Sequence, residues 1–254
     1  MKKEAEKRYT LRTRFGDIVA EFLPPLKRSN KVVIFCGGMP GVPRHDSLLR
    51  FLSRKGYWIF YPRYRGSWES GGRFLKISPD RDVIDVMDAL PHGIKNLWDG
   101  KKYQLEKPFD IYLIGGSFGG PAVILASRDE RVRRVVAVSP VIDWRARTKA
   151  EPIEWMEKFT RSAFGGAYRF SHKDWMKLKK GEFYNPSAHV KGINGKKLFL
   201  IYAKDDKVVP YRPTMRFIKQ AGANSMASKR GGHLSASTIM KPAIWRKVRK
   251  FLHE

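Results

Sequence analysis

A serine surrounded by glycines lies between an apolar segment and one rich in small residues. The motif GGSFGG occupies residues 115–120, directly after the apolar run 111–114 and directly before PAVILAS. This order predicts a strand, a sharp turn and a helix, which is the setting of a nucleophilic serine. Flanking glycines keep side chains away from such a turn. We therefore predict that Ser117 is a nucleophile. A phosphate-binding loop is disfavoured because the Lys-Ser or Lys-Thr ending and the glycine spacing of such loops are missing.

A serine hydroxyl attacks well only when a base removes its proton, and that base is commonly a histidine held by a carboxylate. The expected chain order is nucleophile, acid, histidine. Asp205 and Asp206 follow the apolar run LFLIY, and both are candidates for the acid. His233 and His253 are the histidines beyond them. Since His253 falls at the exposed end of the last predicted helix, His233 is the candidate base.

Acyl transfer also places negative charge on an oxygen, which backbone N–H groups must stabilise. One donor normally belongs to the residue after the nucleophile, here Phe118, and the other to the loop after the third strand. In that loop Gly38 and Met39 carry an N–H and Pro40 does not, and we favour Met39. Cys36, the single cysteine, precedes the glycine pair and has no histidine at the expected order, so we do not predict it as the nucleophile.

The elements that must position these residues follow from the alternation of short apolar runs with longer amphipathic ones. This alternation is typical of a mostly parallel sheet with helices on both faces. Strands are predicted at residues 9–13, 18–23, 31–35, 57–61, 110–114, 134–138, 197–202 and 225–229. Helices are predicted at residues 47–55, 80–97, 118–127, 211–221 and 237–252.

One stretch interrupts the alternation. Residues 144–181 contain seven aromatic residues, and ten lysines or arginines against four acids. We predict a short helical cap inserted between two core strands, because long insertions in compact α/β domains are usually functional. The alternative is an ordinary helical connection whose aromatic side chains pack on the core.

Composition limits the class of protein. With 254 residues, of which 42% are hydrophobic, the chain is not disordered and suits one packed domain over residues 1–254. A single cysteine excludes a disulfide framework and a multi-cysteine zinc site. Neither a membrane-length apolar run nor the apolar part of a signal peptide is present. We therefore expect a cytoplasmic protein without a membrane partner.

The chain is strongly basic, with 51 lysines and arginines against 24 acidic residues and a net charge of +27. Such a charge invites a nucleic-acid partner. However, the positive residues are scattered, and no RNP pattern, zinc-finger spacing or basic helix with heptads occurs. We expect no specific nucleic-acid partner. The charge should nevertheless attract anionic substrates toward any cleft.

Taken together, these motifs resemble the α/β-hydrolase superfamily. More narrowly, they resemble the catalytic domain of the prolyl oligopeptidase family and its stand-alone esterase relatives. The resemblance covers nearly all of the chain beyond residue 30, and rests on residues 36–41, 64–67, 139–144 and 185–188. It also includes the spacing from Asp206 to Pro210, which selects Asp206 over Asp205 as the acid.

The resemblance implies an α/β-hydrolase fold: an eight-stranded, mostly parallel sheet flanked by helices. It also implies a serine hydrolase with a Ser117, His233 and Asp206 triad and no metal or organic cofactor. Arg63 and Arg65 are expected to pair with buried carboxylates or carbonyls.

Several positions depart from the family pattern. Cys36 replaces a usual histidine, Ala203 a usual glycine, and Leu234 the glycine after the base. About 30 residues precede the third strand, so we expect no N-terminal propeller. We therefore predict cleavage of small carboxylic esters through an acyl-enzyme. The alternatives are a serine peptidase acting on short peptides, in the manner of an aminopeptidase or acyl-peptide hydrolase, and a non-enzymatic binder on a decayed hydrolase fold.

Overall fold

A computed structural model describes residues 9–146 and 151–254. Its centre is an eight-stranded sheet, accompanied by a separate two-stranded hairpin. The sheet strands are β1 (Leu11–Phe15), β2 (Ile18–Leu23), β3 (Lys31–Cys36), β4 (Trp58–Pro62), β7 (Asp110–Gly116), β8 (Val132–Val138), β9 (Leu198–Ala203) and β10 (Asn224–Ser228). The hairpin pairs β5 (Ile94–Lys95) with β6 (Lys102–Tyr103).

The sheet order is β1-β2-β4-β3-β7-β8-β9-β10. All pairs from β4 to β10 are parallel, whereas β2 pairs antiparallel with both β1 and β4. The predicted eight-stranded, mostly parallel sheet is therefore confirmed. Because β3, β7, β8 and β9 run in the same direction, the loops that follow them meet at one edge, where open α/β sheets place their sites.

Helices cover both faces of the sheet, and each face has its own hydrophobic core. Alternate side chains of β3 show the division, with Val32 and Ile34 in one core and Val33 and Phe35 in the other. The helices are α1 (Asp46–Arg54), α2 (Asp80–Ala89), α3 (Gly119–Ala126), α4 (Ile153–Phe164), α5 (His172–Met176), α6 (Tyr211–Ala221) and α7 (Pro242–His253). Among these described helices, none has the length and apolar character that crossing a membrane requires.

Several helix boundaries in the structure differ from the predicted ones, for local chemical reasons. The helix predicted for residues 80–97 is wrong in its second half, since α2 ends at Ala89 and a 3-10 turn follows at Leu90–His92. Pro91 lacks the backbone N–H that would donate to a carbonyl of the preceding turn, and Gly93 adopts a φ of 88°, so the helix does not continue. The helix predicted for residues 237–252 divides into a 3-10 turn at Ala236–Met240 and α7. Helix α6 is confirmed at residues 211–221.

Most of the segment predicted as a cap is helical. Helices α4 and α5 lie between β8 and β9, and residues 147–150 of the predicted segment fall outside the described residues. The segment contacts the loop after β4, where the Trp68 amide donates to the carbonyl of Ala167 at 2.7 Å. The phenol of Tyr168 also donates to the carbonyl of Gly41 at 3.3 Å.

The two arginines after β4 have the structural role expected of them. Buried Arg63 donates to Glu21 Oε1 at 2.6 Å. Arg65 bridges Asp82 and Asp85, each at 2.5 Å. These pairs connect the loop after β4 to β2 and α2. The prediction that both arginines pair with buried carboxylates or carbonyls is confirmed, with carboxylates as the partners.

Candidate active site

Ser117 occupies a sharp turn between β7 and α3. Its φ of 52° lies in the left-handed region, which costs a non-glycine residue about 1–3 kcal/mol. Hydrogen bonds hold this conformation: the Ser117 amide donates to the carbonyl of Val138 at 3.0 Å, and the Ser117 carbonyl accepts from Gly120 at 3.0 Å and Val141 at 3.2 Å. The turn directs a half-buried hydroxyl out from the edge of the sheet.

The glycines around Ser117 are required by lack of space. A Cβ at Gly119 would lie 2.1 Å from the carbonyl oxygen of Cys36, and one at Gly115 would lie 2.4 Å from the carbonyl oxygen of Gly119. A Cβ at Gly120 would meet Pro140 at 2.3 Å. The start of α3 thus packs directly against β3 and the loop after β8, and any side chain would push the serine away from the edge.

We expect Gly119→Ala to destabilise the protein. The contacting atom belongs to the backbone, so no side-chain rotation relieves the overlap, and the cost should be about 3 kcal/mol, typical of overpacking. Thermal unfolding should show a Tm lower by about 6–12 °C. Gly166→Ala is the control, because a Cβ there meets no heavy atom within 4 Å. Equal Tm values for the two variants would contradict this account of the motif.

Asp206 and His233 are brought together although 27 residues separate them. His233 Nδ1 lies 2.8 Å from Asp206 Oδ2, and the other carboxylate oxygen accepts from the amides of Val208 and Val209 at 2.9 Å each. Both oxygens of the Asp206 carboxylate are therefore held. With Oδ2 as acceptor, Nδ1 carries the ring proton and leaves Nε2 as the basic nitrogen.

The surroundings of Asp206 favour its charged form. Burial raises the pKa of this carboxyl, but the hydrogen bond from His233 and those from the two amides outweigh it, so the pKa is lowered from its ordinary value. A lowered pKa means that the stabilisation contributed by Asp206 is present above the unfolded-state pKa and is lost as pH falls through the folded-state pKa. At neutral pH the group is a carboxylate and can stabilise a positively charged imidazole.

The neighbouring acid, Asp205, has a different position. Its two carboxylate oxygens accept from the amides of Gly231 at 3.2 Å and Gly232 at 2.9 Å, the residues that precede His233. On the other side, the amide of Leu234 donates to Ser139 Oγ at 3.1 Å. Asp205 and Ser139 thus fix the loop that carries the histidine, and the sequence did not indicate this role for either of them.

Ser117 and His233 line the same cavity, which measures about 450 Å³. Within the described part of the chain, neither the Ser117 hydroxyl nor His233 Nε2 has a hydrogen-bond partner. Such contacts are often loose in a protein without substrate and tighten when substrate binds. Both groups are therefore available to a molecule in the cavity.

The predicted oxyanion donors lie beside this serine. Met39 lines the cavity, and Gly38 approaches so closely that a Cβ on it would lie 3.3 Å from Ser117 Cβ. No described residue accepts a hydrogen bond from the amide of Met39 or of Phe118. The Phe118 side chain is buried, and its carbonyl accepts from the Tyr184 phenol at 2.5 Å. This contact anchors the residue after the serine and was missed from the sequence.

Two further titratable residues, Cys36 and His45, lie near the site. Cys36 is fully buried, and burial together with the charge of Asp82 raises the pKa of its thiol, which disfavours the thiolate that a cysteine nucleophile requires. His45, which precedes Ser117 in the chain, also lines the cavity. Burial and the charge of Arg63 lower the pKa of His45, which keeps its ring neutral against Phe35 and Tyr61.

Solved structures share this architecture. An esterase from Pyrococcus furiosus is 20% identical with a TM-score of 0.68, and the match covers 96% of this chain and 89% of that one. Est1E from Butyrivibrio proteoclasticus is 14% identical with a TM-score of 0.63, covering 97% and 100%. An acylaminoacyl peptidase from Pyrococcus horikoshii is 17% identical with a TM-score of 0.63, covering 97% and 41%. The predicted α/β-hydrolase fold is thereby confirmed.

The sequence itself matches the prolyl oligopeptidase family over residues 43–241. This range contains Ser117, Asp206 and His233 but not Met39. No curated protein sequence matches the chain significantly. Since the family match spans most of its length, this chain belongs to the prolyl oligopeptidase family of serine hydrolases.

Proposed function

We propose that this protein cleaves carboxylic esters through an acyl-enzyme, with Ser117 as nucleophile, His233 as base and Asp206 as the orienting acid. The observation that carries the proposal is the 2.8 Å hydrogen bond from His233 to Asp206 beside a cavity that His233 shares with Ser117. A buried carboxylate, an oriented imidazole and a hydroxyl on a strained turn are the parts that acyl transfer by serine requires.

The proposed reaction has two halves. Ser117 Oγ attacks the acyl carbonyl while His233 Nε2 takes its proton, and Asp206 stabilises the imidazolium that forms. The amides of Met39 and Phe118 donate to the oxygen that becomes negative. The imidazolium then protonates the departing alcohol and leaves the acyl group on Ser117. A water molecule, deprotonated by the same histidine, releases the carboxylic acid.

The cavity indicates the class of substrate. Its walls are largely apolar, and Phe35, Val42, Trp155, Met156 and Phe159 are among the lining residues. Among the described lining residues there is no lysine or arginine, despite a net charge of +27. The described lining residues therefore offer no lysine or arginine to an anionic substrate. A neutral apolar acyl or alcohol group is the best match.

The segment predicted as a cap contributes side chains to the wall of the same cavity. We propose that residues 144–181 form a cap on a single domain comprising residues 1–254. The rings of Trp155 and Phe159 are stacked with their centroids 5.1 Å apart, and 47% and 40% of the two side chains are exposed. Large exposed aromatic side chains beside a cavity are suited to contacting an apolar substrate. One solved structure of Est1E has ferulic acid bound, and the Pyrococcus furiosus neighbour is an esterase.

Substrate charge provides a prediction. A p-nitrophenyl butanoate should be hydrolysed with a kcat/KM at least about tenfold above that of the matching hemisuccinate. The hemisuccinate has a terminal carboxylate in place of a methyl group. This carboxylate would lose hydration in a largely apolar cavity whose described lining residues include no lysine or arginine. Rates measured at low and high salt separate this local effect from the attraction exerted by the whole charge. Preference for the hemisuccinate at high salt would contradict the assignment.

The peptidase alternative rests on the relatives of this chain. An acylaminoacyl peptidase shares its fold, and the matched family is the prolyl oligopeptidase family. The test compares p-nitrophenyl acyl esters with aminoacyl-p-nitroanilides. Ester hydrolysis should dominate. A clear preference for anilides would favour the peptidase instead.

A further inference from the structure

A second large cavity lies at the opposite edge of the sheet from Ser117. It measures about 860 Å³ and opens beside Lys31, the first residue of β3. Ser117 follows the last residue of β7, which runs parallel to β3. In parallel strands the starts lie at one edge and the ends at the other. The two cavities share no lining residue, so the second is separate from the proposed active site.

Positive side chains from several elements surround this second cavity, which we call the cationic cavity. Its six cationic lining residues are Lys31, Arg54, Lys55, Arg246, Arg249 and Lys250. The described residues provide one ion pair to this group, between Lys250 Nζ and Glu254 at 3.7 Å. The other five therefore face the cavity or solvent without a carboxylate from the described chain.

The helix ends do not balance this charge. Helices α1 and α7 both finish at the cationic cavity, since Arg54 and His253 are their last residues and line it. Each helix C-terminus contributes about half a negative charge. Among the described residues, these ends and Glu254 leave about four of the six positive charges uncompensated. This excess is concentrated in a concave space and attracts a ligand with several negative charges.

The surroundings of His253 are consistent with a positive potential in the cationic cavity. Its Nδ1 lies 3.5 Å from Lys31 Nζ, and its Nε2 lies 3.4 Å from the hydroxyl of Tyr57. The ammonium can only donate, so Nδ1 is the acceptor and the ring proton is on Nε2. Burial and the charges of Lys31, Arg249 and Arg133 lower the pKa of His253, against an opposing effect of Asp110. The ring is neutral because a further positive charge is unfavourable there.

Aromatic side chains complete the wall between the cations. Phe51 packs edge-on against Trp245 with ring centroids 5.0 Å apart, and Lys55 Nζ lies 5.3 Å from the centre of the Phe51 ring. Such a pocket has the size and the combination of apolar wall and charged groups typical of small-molecule sites. Arginine is well suited to phosphate because its guanidinium can donate two parallel hydrogen bonds.

We propose that the cationic cavity binds a small molecule that carries clustered phosphate groups. Several phosphates are needed because the cations come from the end of α1, the start of β3 and one side of α7. A ligand with several phosphates offers a separate anionic group to the cations of more than one element, whereas orthophosphate offers one. The concave shape favours a small ligand over the backbone of a nucleic acid.

Isothermal titration calorimetry with inorganic tripolyphosphate, ATP and orthophosphate tests the proposal. We expect tripolyphosphate to bind one molecule per chain, more weakly at high salt, and orthophosphate to bind at least about tenfold more weakly. Equal affinity for ATP and tripolyphosphate would assign recognition to the phosphates alone, while tighter binding of ATP would assign a role to the aromatic wall. Absence of saturable tripolyphosphate binding at low salt would overturn the proposal.

Charge-reversal variants locate the binding. Arg246→Glu with Arg249→Glu should weaken tripolyphosphate binding at least about tenfold. The control is Arg212→Glu with Lys219→Glu on exposed positions of α6, which changes the net charge by the same amount. It should alter the affinity by less than about threefold. A wild-type circular dichroism spectrum and a Tm that is not lowered show that both variants fold.

Two results would overturn the assignment. If the α6 variant weakens binding as much as the α7 variant, the attraction comes from the whole basic chain and not from the cavity. If a single-stranded oligonucleotide binds more tightly than tripolyphosphate, and through the same two arginines, the surface binds nucleic acid. Neither result depends on the ester hydrolysis proposed for the other edge of the sheet.

Discussion

Ser117→Ala should reduce kcat/KM for a p-nitrophenyl butanoate by about 10⁵–10⁶-fold. The hydroxyl is the proposed site of acyl attachment, and an enzyme that loses its nucleophile retains only the rate that binding and the oxyanion donors supply. A fluorophosphonate should label the wild-type protein, and peptide mapping should place the adduct on Ser117. The variant should remain unlabelled under the same conditions.

Ser225→Ala is a matched control for this substitution. Ser225 is exposed in β10 and lines neither of the two cavities. Its kcat/KM should stay within about threefold of wild type. An adduct on another residue of the wild-type protein, or substantial hydrolysis by purified Ser117→Ala, would remove Ser117 from the mechanism.

Asp206→Asn should lower kcat by about 10³–10⁴-fold with little change in KM. Asparagine has nearly the same shape but no charge, so it would not stabilise the imidazolium. Its amide could also donate to His233 Nδ1, which would place the ring proton on Nε2 and block the base. Steady-state kinetics on a neutral ester measures both parameters, and circular dichroism confirms that the variant is folded.

Asp205→Asn distinguishes this effect from a general loss of local negative charge. Asp205 accepts from two backbone amides, whereas His233 is hydrogen-bonded to Asp206, so an asparagine oxygen at position 205 can preserve part of the role of Asp205. We expect kcat to fall less than about tenfold. If Asp205→Asn were as inactive as Asp206→Asn, the loop position and not the carboxylate at His233 would limit the rate.

The two adjacent acids show where sequence reasoning ends. Asp205 and Asp206 are chemically identical and follow the same strand, so residue type and chain order leave both possible. The family resemblance selected Asp206, and the structure directs it to His233 while directing Asp205 to the glycine amides. The difference arises from the backbone of the turn, which orients successive side chains differently and which composition does not reveal.

The sequence also could not predict where the positive charge of the chain is concentrated. Counting residues established a net charge of +27 and predicted attraction of anions toward any cleft. The fold divides that charge unevenly, with six cations around one cavity and none among the described lining residues of the other. Net charge is a sum over the sequence, whereas the potential in a cavity depends on which side chains surround it.

From the sequence alone came the order of strands and helices, the turn at Ser117 and the candidates for acid, base and oxyanion donors. These depend on interactions between near neighbours: apolar runs that favour buried strands, and glycines at a turn with no room for side chains. Tertiary structure decided what depends on long-range contacts. It placed His45 and the aromatic residues of α4 in the cavity with Ser117, anchored Phe118 through Tyr184, and assembled the cationic cavity from the ends of α1, β3 and α7.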